Sequence, residues 1–481
     1  MTVPAVRVRA RNAHPVNAGG EFVLYWMIAN RRARSNFALQ HARDLARALA
    51  RPLLVLEAVR CDYDWASDRL HDFVIAGMLD NSVDFADVTY YPYIEPRVGA
   101  GKGLLHALAA RACAVITDDF PCFFLPRMVE AAAEAVTVRL ETVDSNGLYP
   151  LYATDREFAV AHSFRRHLQK ELAPHLADWP EEEPLQQWML PQARIPDDIL
   201  KRWPKADPRR ALGSYHNLPI DHDVPPSAIE GGPAAARRRL QQWLSSGLPR
   251  YAEDRNHPDE DASSGLSPWL HFGHLSAHEV ARAIWDTADW NPQALTGQVD
   301  GRRGWWGLPE NAEAFMDELV TWRELGYQFC RARDDYDQFE SLPGFALQTL
   351  REHASDPREF VYTLEQFENA DTHDSVWNAA QRQLRAEGRI HNYLRMQWGK
   401  GILAWSESPE QALATLIELN NRWALDGRNP NSYSGIFWTL GRFDRAWGPE
   451  RRVFGKVRYM SSSNTRRKVR MEEYLLRYGR D

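Results

Sequence analysis

The chain has 481 residues, 44% hydrophobic and 26% charged, with a formal net charge of −7. That is more chain than one hydrophobic core usually serves, so two domains are expected. No apolar run approaches the roughly 20 residues that span a bilayer, the Arg-rich start "MTVPAVRVRARNAHPVNAGG" lacks the apolar stretch of a secretory leader, and the four cysteines form no C-x-x-C pair, which argues against zinc or a disulfide framework and fits a reducing cytoplasm.

In chain order, residues 1–20 are expected to be disordered. Residues 21–172 alternate between strand-like and helical stretches. "FVLYWM" reads as a strand, and "SNFALQHARDLARALA" as a helix capped by Ser35 or Asn36. "RPLLVLEAV" is an apolar strand, followed by a helical stretch around 66–80. "DVTYYPYI", "CAVITDD" and "AVTVRLETVD" are further strands, with "GKGLLHALAARA" helical between the first two. Strands separated by helices imply crossover connections and a parallel sheet buried on both faces. "GAGKG" at 99–103 lacks the spacing of a phosphate loop and reads as a plain loop. Residues 173–234 are acidic and Pro-rich, as in a long linker. Residues 235–481 are mostly helical, with amphipathic stretches at 235–245, 276–287, 311–332, 344–354, 376–386, 391–405 and 409–423.

The helical half carries most of the 18 Trp residues. In "HNYLRMQWGKGILAW", Trp398 and Trp405 are seven apart and share one helix face, roughly 10.5 Å apart along the axis. The spacing fits a buried seam as well as a functional pair. Ser264, Gly265 and Ser267 precede an expected helix, where hydroxyls and free N–H groups suit either an ordinary cap or an anion. Glu318 and Trp322 lie one turn apart, so the Glu is either solvated or a desolvated acid with a raised pKa. From Arg451 to Asp481 ten Lys/Arg face three acids, a basic end that suits solvent or phosphate.

Taken together, "THDSVWNAAQ", "LRMQWGKGILAW", "LDGRNPN" and "RVFGKVRYM" resemble the class II cyclobutane pyrimidine dimer photolyases. The resemblance covers 310–460, is clear at 254–276, and extends collinearly to "YWMIANRRARSNFAL". It implies an α/β Rossmann-like antenna domain with a parallel sheet, followed by an all-α domain that binds FAD. It also implies light-driven repair of pyrimidine dimers in UV-damaged DNA by a cytoplasmic monomer without a metal. The antenna chromophore would be of the 8-hydroxy-deazaflavin or folate type. By the same resemblance Trp398, Trp377 and Trp405 relay electrons to the flavin, with Tyr362 as a side branch. Asn420 faces flavin N5, Arg395 and Asp426 pair beside the ring, Ser264, Leu266 and Ser267 hold the pyrophosphate, and Asn378 also contacts the cofactor.

Glu318 and Met396 would touch the dimer, with Glu318 protonated to stabilise its radical anion. Trp322 and Trp438 would wall the flipped bases. Arg255 and Asn256 would fill the gap left in the duplex, and Arg445, Lys456 and Arg458 would contact phosphates. The chain departs from the family at Asn429 (usually Asp), Gly265 (Asn), Phe443 (His) and Asn392 (Gly). A cryptochrome-like photoreceptor on the same scaffold, or a Trp-rich helical binding module, are the alternative expectations.

Overall fold

The computed structural model describes residues 2–297 and 301–479. They divide into two units: Met1–Thr154, Leu172–Leu240 and Leu266–Pro292 form the first, and Asp155–Glu171, Gln241–Gly265 and Gln293–Asp481 the second.

The first unit is built on six strands: β1 (Val8–Ala10), β2 (Phe22–Met27), β3 (Leu53–Val59), β4 (Thr89–Ile94), β5 (Ala112–Asp118) and β6 (Arg139–Val143). Their order across the sheet is β1-β6-β5-β2-β3-β4. Strands β2 to β6 pair in parallel. They can do so because helices Phe37–Leu49, Asp68–Asp84, Leu104–Ala109 and Leu125–Ala135 carry the chain back between them. Every residue of β2 and of β5 is buried, as a sheet covered on both faces requires.

Of the two cap residues expected for the first helix, Asn36 performs the role. Its Oδ1 accepts from the Ala38 and Leu39 N–H groups at 3.0 and 3.2 Å. Between β2 and β5 the Asp118 carboxylate accepts the Ile28, Ala29 and Asn30 N–H groups at 2.8–2.9 Å and the Tyr25 hydroxyl at 2.8 Å. It satisfies backbone donors at the point where the strand order reverses.

Three placements differ from the sequence reading. Strand β1 lies within the stretch expected to be disordered, and pairs antiparallel with β6. The buried Arg7 just before it holds this segment down, donating to the Leu148 carbonyl at 2.9 Å and pairing with Asp144 at 3.3 Å. Helix Ala161–Glu171, expected with the α/β domain, belongs to the second unit, where Arg165 forks onto Asp317 at 2.7 and 2.8 Å. Helix Ala277–Thr287, expected with the helical half, belongs to the first unit. The segment leading to it is tied there by Arg32, which donates to the Gly273 carbonyl at 2.9 Å. The Pro-rich stretch is also anchored: Trp203 donates from Nε1 to the Ala100 carbonyl at 2.9 Å and accepts the Tyr91 hydroxyl on its own carbonyl.

The second unit is helical. Glu310–Met316, Arg323–Ala332, Gly344–Glu352, Ser375–Glu387, Asn392–Trp405, Pro409–Trp423 and Pro430–Thr439 are its main helices, with Ser462–Lys468 and Glu472–Tyr478 near the C-terminus. The periodic stretch 311–332 is not one regular helix. Residues Asp317–Trp322 wind as a wider π-helical segment between two α-helices, a local irregularity that concentrates at functional positions. Among the described residues no helix is long and apolar enough to cross a membrane, and no cluster of His, Cys, Asp and Glu is arranged to hold a metal.

Candidate functional site

Helix Asn392–Trp405 carries Trp398 and Trp405 one above the other, and helix Ser375–Glu387 inserts Trp377 against both. The Trp377 and Trp398 rings stack in parallel planes with centroids 6.3 Å apart, and the Trp377 and Trp405 rings meet edge-on at 6.1 Å. Trp377 and Trp398 are fully buried, while Trp405 is half-exposed. Buried indole N–H groups need acceptors. Trp377 Nε1 donates to the Trp398 carbonyl at 2.8 Å, and Trp398 Nε1 to Gln381 Oε1 at 2.9 Å. Gln381 escaped the sequence reading, although its place one turn after Trp377 in "WNAAQ" puts it on the same face. Gly401 makes the arrangement possible, because a Cβ there would lie 2.6 Å from Trp377 and 2.8 Å from Trp405. Tyr362 meets Trp405 edge-on at 6.1 Å and is half-buried.

Beside this row sits a polar set. Arg395 and Asp426 form a two-point ion pair at 2.9 and 3.3 Å. Asn420 is buried and donates to Asn421 Oδ1 at 3.1 Å. The Asn378 amide is engaged locally: Oδ1 accepts from the Thr372 hydroxyl at 2.7 Å and Nδ2 donates to the Thr372 carbonyl at 2.8 Å. Ser264 lies in the second unit, whereas Leu266 and Ser267 fall in the first, where Ser267 starts a helix of five residues.

Two of the family departures have local explanations. Asn429 caps helix Pro430–Thr439, its Oδ1 accepting from the Ser432 N–H at 3.0 Å, which the usual Asp would do equally well. Gly265 has φ +65°, a conformation that Gly and Asn both adopt readily. Phe443 also has positive φ, at +65°, and packs edge-on against Phe329 at 5.4 Å. Asn392 is exposed at the first residue of its helix.

Glu318 sits in the π-helical segment and meets Arg255 from another loop, with Nη1 to Oε1 at 2.8 Å. Burial pushes the Glu318 carboxyl above the usual carboxylate range, and the Arg255 cation pulls it part of the way back. Arg255 also lies 5.3 Å over the Tyr251 ring, whose hydroxyl is pushed up by burial and then by Glu318. Asn256 is exposed. Trp322, Met396 and Trp438 are each half-buried, on helices joined through Pro430–Thr439, which packs on both Arg323–Ala332 and Asn392–Trp405.

Lys400 was not singled out by the sequence. It is buried, donates to the Thr439 carbonyl at 2.5 Å, and holds its ammonium 5.2 Å from the Trp438 ring. Burial lowers its pKa to about 7, against a smaller raising effect of Asp444.

The basic residues expected at phosphates make internal contacts. Arg458 pairs with Asp444 at 2.7 Å and lies 4.1 Å over Trp447; Lys456 pairs with Glu450 at 3.1 Å; Arg445 lies 4.5 Å over Trp447. Part of the basic C-terminal stretch also has structural work. Arg470 pairs with Asp254 at 2.5 Å and Glu260 at 3.2 Å, and its N–H donates to His257 Nδ1 at 3.0 Å. The loop that bears Arg255 and Asn256 is thereby clamped from the C-terminus.

A mostly parallel sheet in one unit, and a helical unit with three adjoining indoles and an ion pair, define a photolyase-type fold. A solved class III photolyase from Agrobacterium tumefaciens has this fold, with a TM-score of 0.67 over 95% of this chain and 86% of that one, at 15% identity. No family model matches the chain. Curated relatives carry the comparison further. The deoxyribodipyrimidine photo-lyase of Methanothermobacter thermautotrophicus is 32% identical over 98% of both chains. That of Oryza sativa subsp. japonica is 34% identical over 97% of this chain and 89% of its own, and that of Potorous tridactylus 33% over 98% and 83%. The chain belongs to the deoxyribodipyrimidine photo-lyase family.

Proposed function

We propose that this protein is a class II enzyme that uses light to split cyclobutane pyrimidine dimers in UV-damaged DNA, acting as a monomer. The observation that carries the reading is its likeness, over nearly its whole length, to three proteins named deoxyribodipyrimidine photo-lyase. No observation favours a photoreceptor over a repair enzyme.

FAD fits the residues present in the second unit. Neutral amides at Asn420 and Asn421 with the Arg395–Asp426 pair suit an uncharged heterocycle that has both carbonyl and N–H edges. When bound, FAD would supply the light-driven electron. The chain's own residues do the remaining work. Asn420 presents an amide able to donate or accept at the ring edge, and Arg395 and Asp426 position the ring; a buried pair suits positioning more than stability. Ser264 and Asn378 of the same unit hold the remainder of the cofactor.

Trp322 and Trp438 wall the flipped dimer and Met396 touches it. Glu318, once protonated, donates to a base carbonyl where negative charge develops. Arg255 and Asn256 enter the duplex gap, and Arg445, Lys456 and Arg458 meet phosphates by exchanging internal partners for external ones. Trp398, Trp377 and Trp405, with Tyr362 beyond, carry electrons inward from the surface.

The first unit offers an antenna site of the 8-hydroxy-deazaflavin or folate type. Trp65 and Phe123 stack at 6.0 Å, and Tyr63 and Phe124 lie 5.8 Å apart, in the loops that follow β3 and β5. Ligands of open parallel sheets bind at this end of the strands.

The test is the recovery of ultraviolet base absorbance in a dimer-containing oligonucleotide, illuminated with chemically reduced enzyme. Recovery in light and none in darkness is expected. No recovery in light from protein shown to hold reduced flavin refutes the repair reading.

A further inference from the structure

The outer end of the indole row does not stop at Trp405. The Tyr362 backbone N–H donates to the Trp405 carbonyl at 3.0 Å, clamping the tyrosine to the C-terminus of the relay helix. The Tyr362 hydroxyl lies 2.8 Å from His373 Nδ1 and accepts the backbone N–H of the same His373 at 3.0 Å. In the tautomer that leaves Nδ1 unprotonated, the phenol's single hydrogen points at Nδ1, across this 2.8 Å contact. Phe360 stacks on the imidazole at 3.8 Å and 17° and fixes its plane, and the imidazole in turn meets the Trp405 ring edge-on at 4.8 Å. Both His373 and Tyr362 reach the surface.

A phenol is hard to oxidise unless its proton leaves with the electron, because the resulting radical cation is a very strong acid. A base held at hydrogen-bond distance along the O–H bond removes that obstacle. We propose that His373 is the proton acceptor that makes Tyr362 the terminal electron donor of the row. The inference rests on the relay reading given above. The step is balanced as follows. The oxidised Trp405 radical cation takes one electron from Tyr362 and becomes neutral Trp. The Tyr362 O–H bond breaks, its proton forms a bond to His373 Nδ1, and a neutral tyrosyl radical and an imidazolium remain. The positive charge then rests on the imidazolium and the hole on a neutral tyrosyl radical, both at the surface and one step beyond Trp405, which slows the return of the electron. A thiolate reductant in solution then supplies one electron to the tyrosyl radical and becomes a thiyl radical, and the imidazolium returns the proton.

The experiment uses flavin-loaded protein with oxidised cofactor, flash-excited, with Trp and tyrosyl radicals followed by transient absorption and by electron paramagnetic resonance. In the wild type a Trp radical should be succeeded by a tyrosyl radical, more slowly in D₂O than in H₂O. Tyr362→Phe should abolish the tyrosyl signal and leave the Trp radical. His373→Gln keeps a hydrogen-bond acceptor but no base, and should slow tyrosyl formation about 10²-fold. In His373→Ala, added imidazole should restore both the rate and the isotope effect. Unchanged tyrosyl kinetics in His373→Gln, or no solvent isotope effect in the wild type, overturns the assignment while leaving the relay standing. Absence of any Trp radical in the wild type overturns the relay and this step together.

Discussion

Arg255 Nη1 stands 2.8 Å from Glu318 Oε1, so the arginine expected to fill the gap in the duplex and the acid expected to serve the dimer are each other's partners in the protein alone. Burial raises the Glu318 pKa and Arg255 lowers it, so withdrawing the arginine removes the largest lowering effect and favours the protonated acid. Arg255→Ala should therefore shift the Glu318 carboxyl titration to higher pH, read by its infrared C=O band. It should also weaken binding to dimer-containing duplex more than to undamaged duplex. Equal losses on both DNAs remove the gap-filling role.

Replacing the acid tests its part in the chemistry. Glu318→Ala should lower the number of dimers split per absorbed photon more than it weakens DNA binding, because the charge it stabilises exists only after electron transfer. If affinity falls while the yield per photon holds, Glu318 is a binding residue.

Single replacements along the indole row should not be equivalent. Trp398→Phe should nearly abolish photoreduction of oxidised FAD, since it removes the innermost ring. Trp377→Phe should resemble it, because the Trp377 ring stands 6.3 Å from one neighbour and 6.1 Å from the other. Trp405→Phe should permit the first hops but shorten the life of the separated charge. A purely structural seam predicts a different outcome: losses of about 1–3 kcal/mol in stability with photoreduction intact in whatever folds. Transient absorption and urea unfolding on the same flavin-loaded variants separate the two.

The buried Lys400 carries a pH signature. Its folded pKa of about 7 lies below the ordinary 10.5, so the folded state prefers the neutral amine. The stability it contributes is therefore greatest above pH 10.5, falls as the pH drops through the window down to about 7, and stays low below that. Lys400→Met should stabilise the protein at pH 6, by about 1–2 kcal/mol after the lost hydrogen bond to Thr439 is offset, with the gain shrinking as pH rises towards 10. Urea unfolding at pH 6 and pH 9 measures it. A constant difference between the two pH values would rule out a lowered lysine pKa.

The basic C-terminus should divide by function. Neutralising Arg466, Arg467 and Lys468 together should weaken damaged and undamaged duplex about equally and flatten the dependence on salt. Arg470→Ala removes one of the two arginines that hold Asp254 and Glu260, Arg250 being the other, and should impair dimer recognition through the Arg255 loop. Salt titrations of fluorescence anisotropy on both DNAs distinguish the classes; identical salt slopes in all variants would deny them any phosphate contact.

The sequence alone determined the alternation of strands and helices in the first 150 residues, because burial on both faces leaves continuous apolar runs that local pattern reveals. It also determined the helix at 391–405 and its indole face, since a seven-residue spacing fixes two indoles on one face whatever surrounds them. The family resemblance named Tyr362 and put Trp377 between the other two indoles, but no local pattern could say so, or say that Gly401 admits it. Only the tertiary structure paired Arg255 with Glu318 and Tyr362 with His373, turned Lys400 inward, and widened the helix at Asp317–Trp322 into a π segment. It alone assigned helices Ala161–Glu171 and Ala277–Thr287 to units other than their neighbours in the chain. The physical reason is common to all of these. Periodicity reports which face of an element is buried, whereas a polar pair across 63 residues, as between Arg255 and Glu318, depends on how separate elements pack and on which partner remains when water is removed.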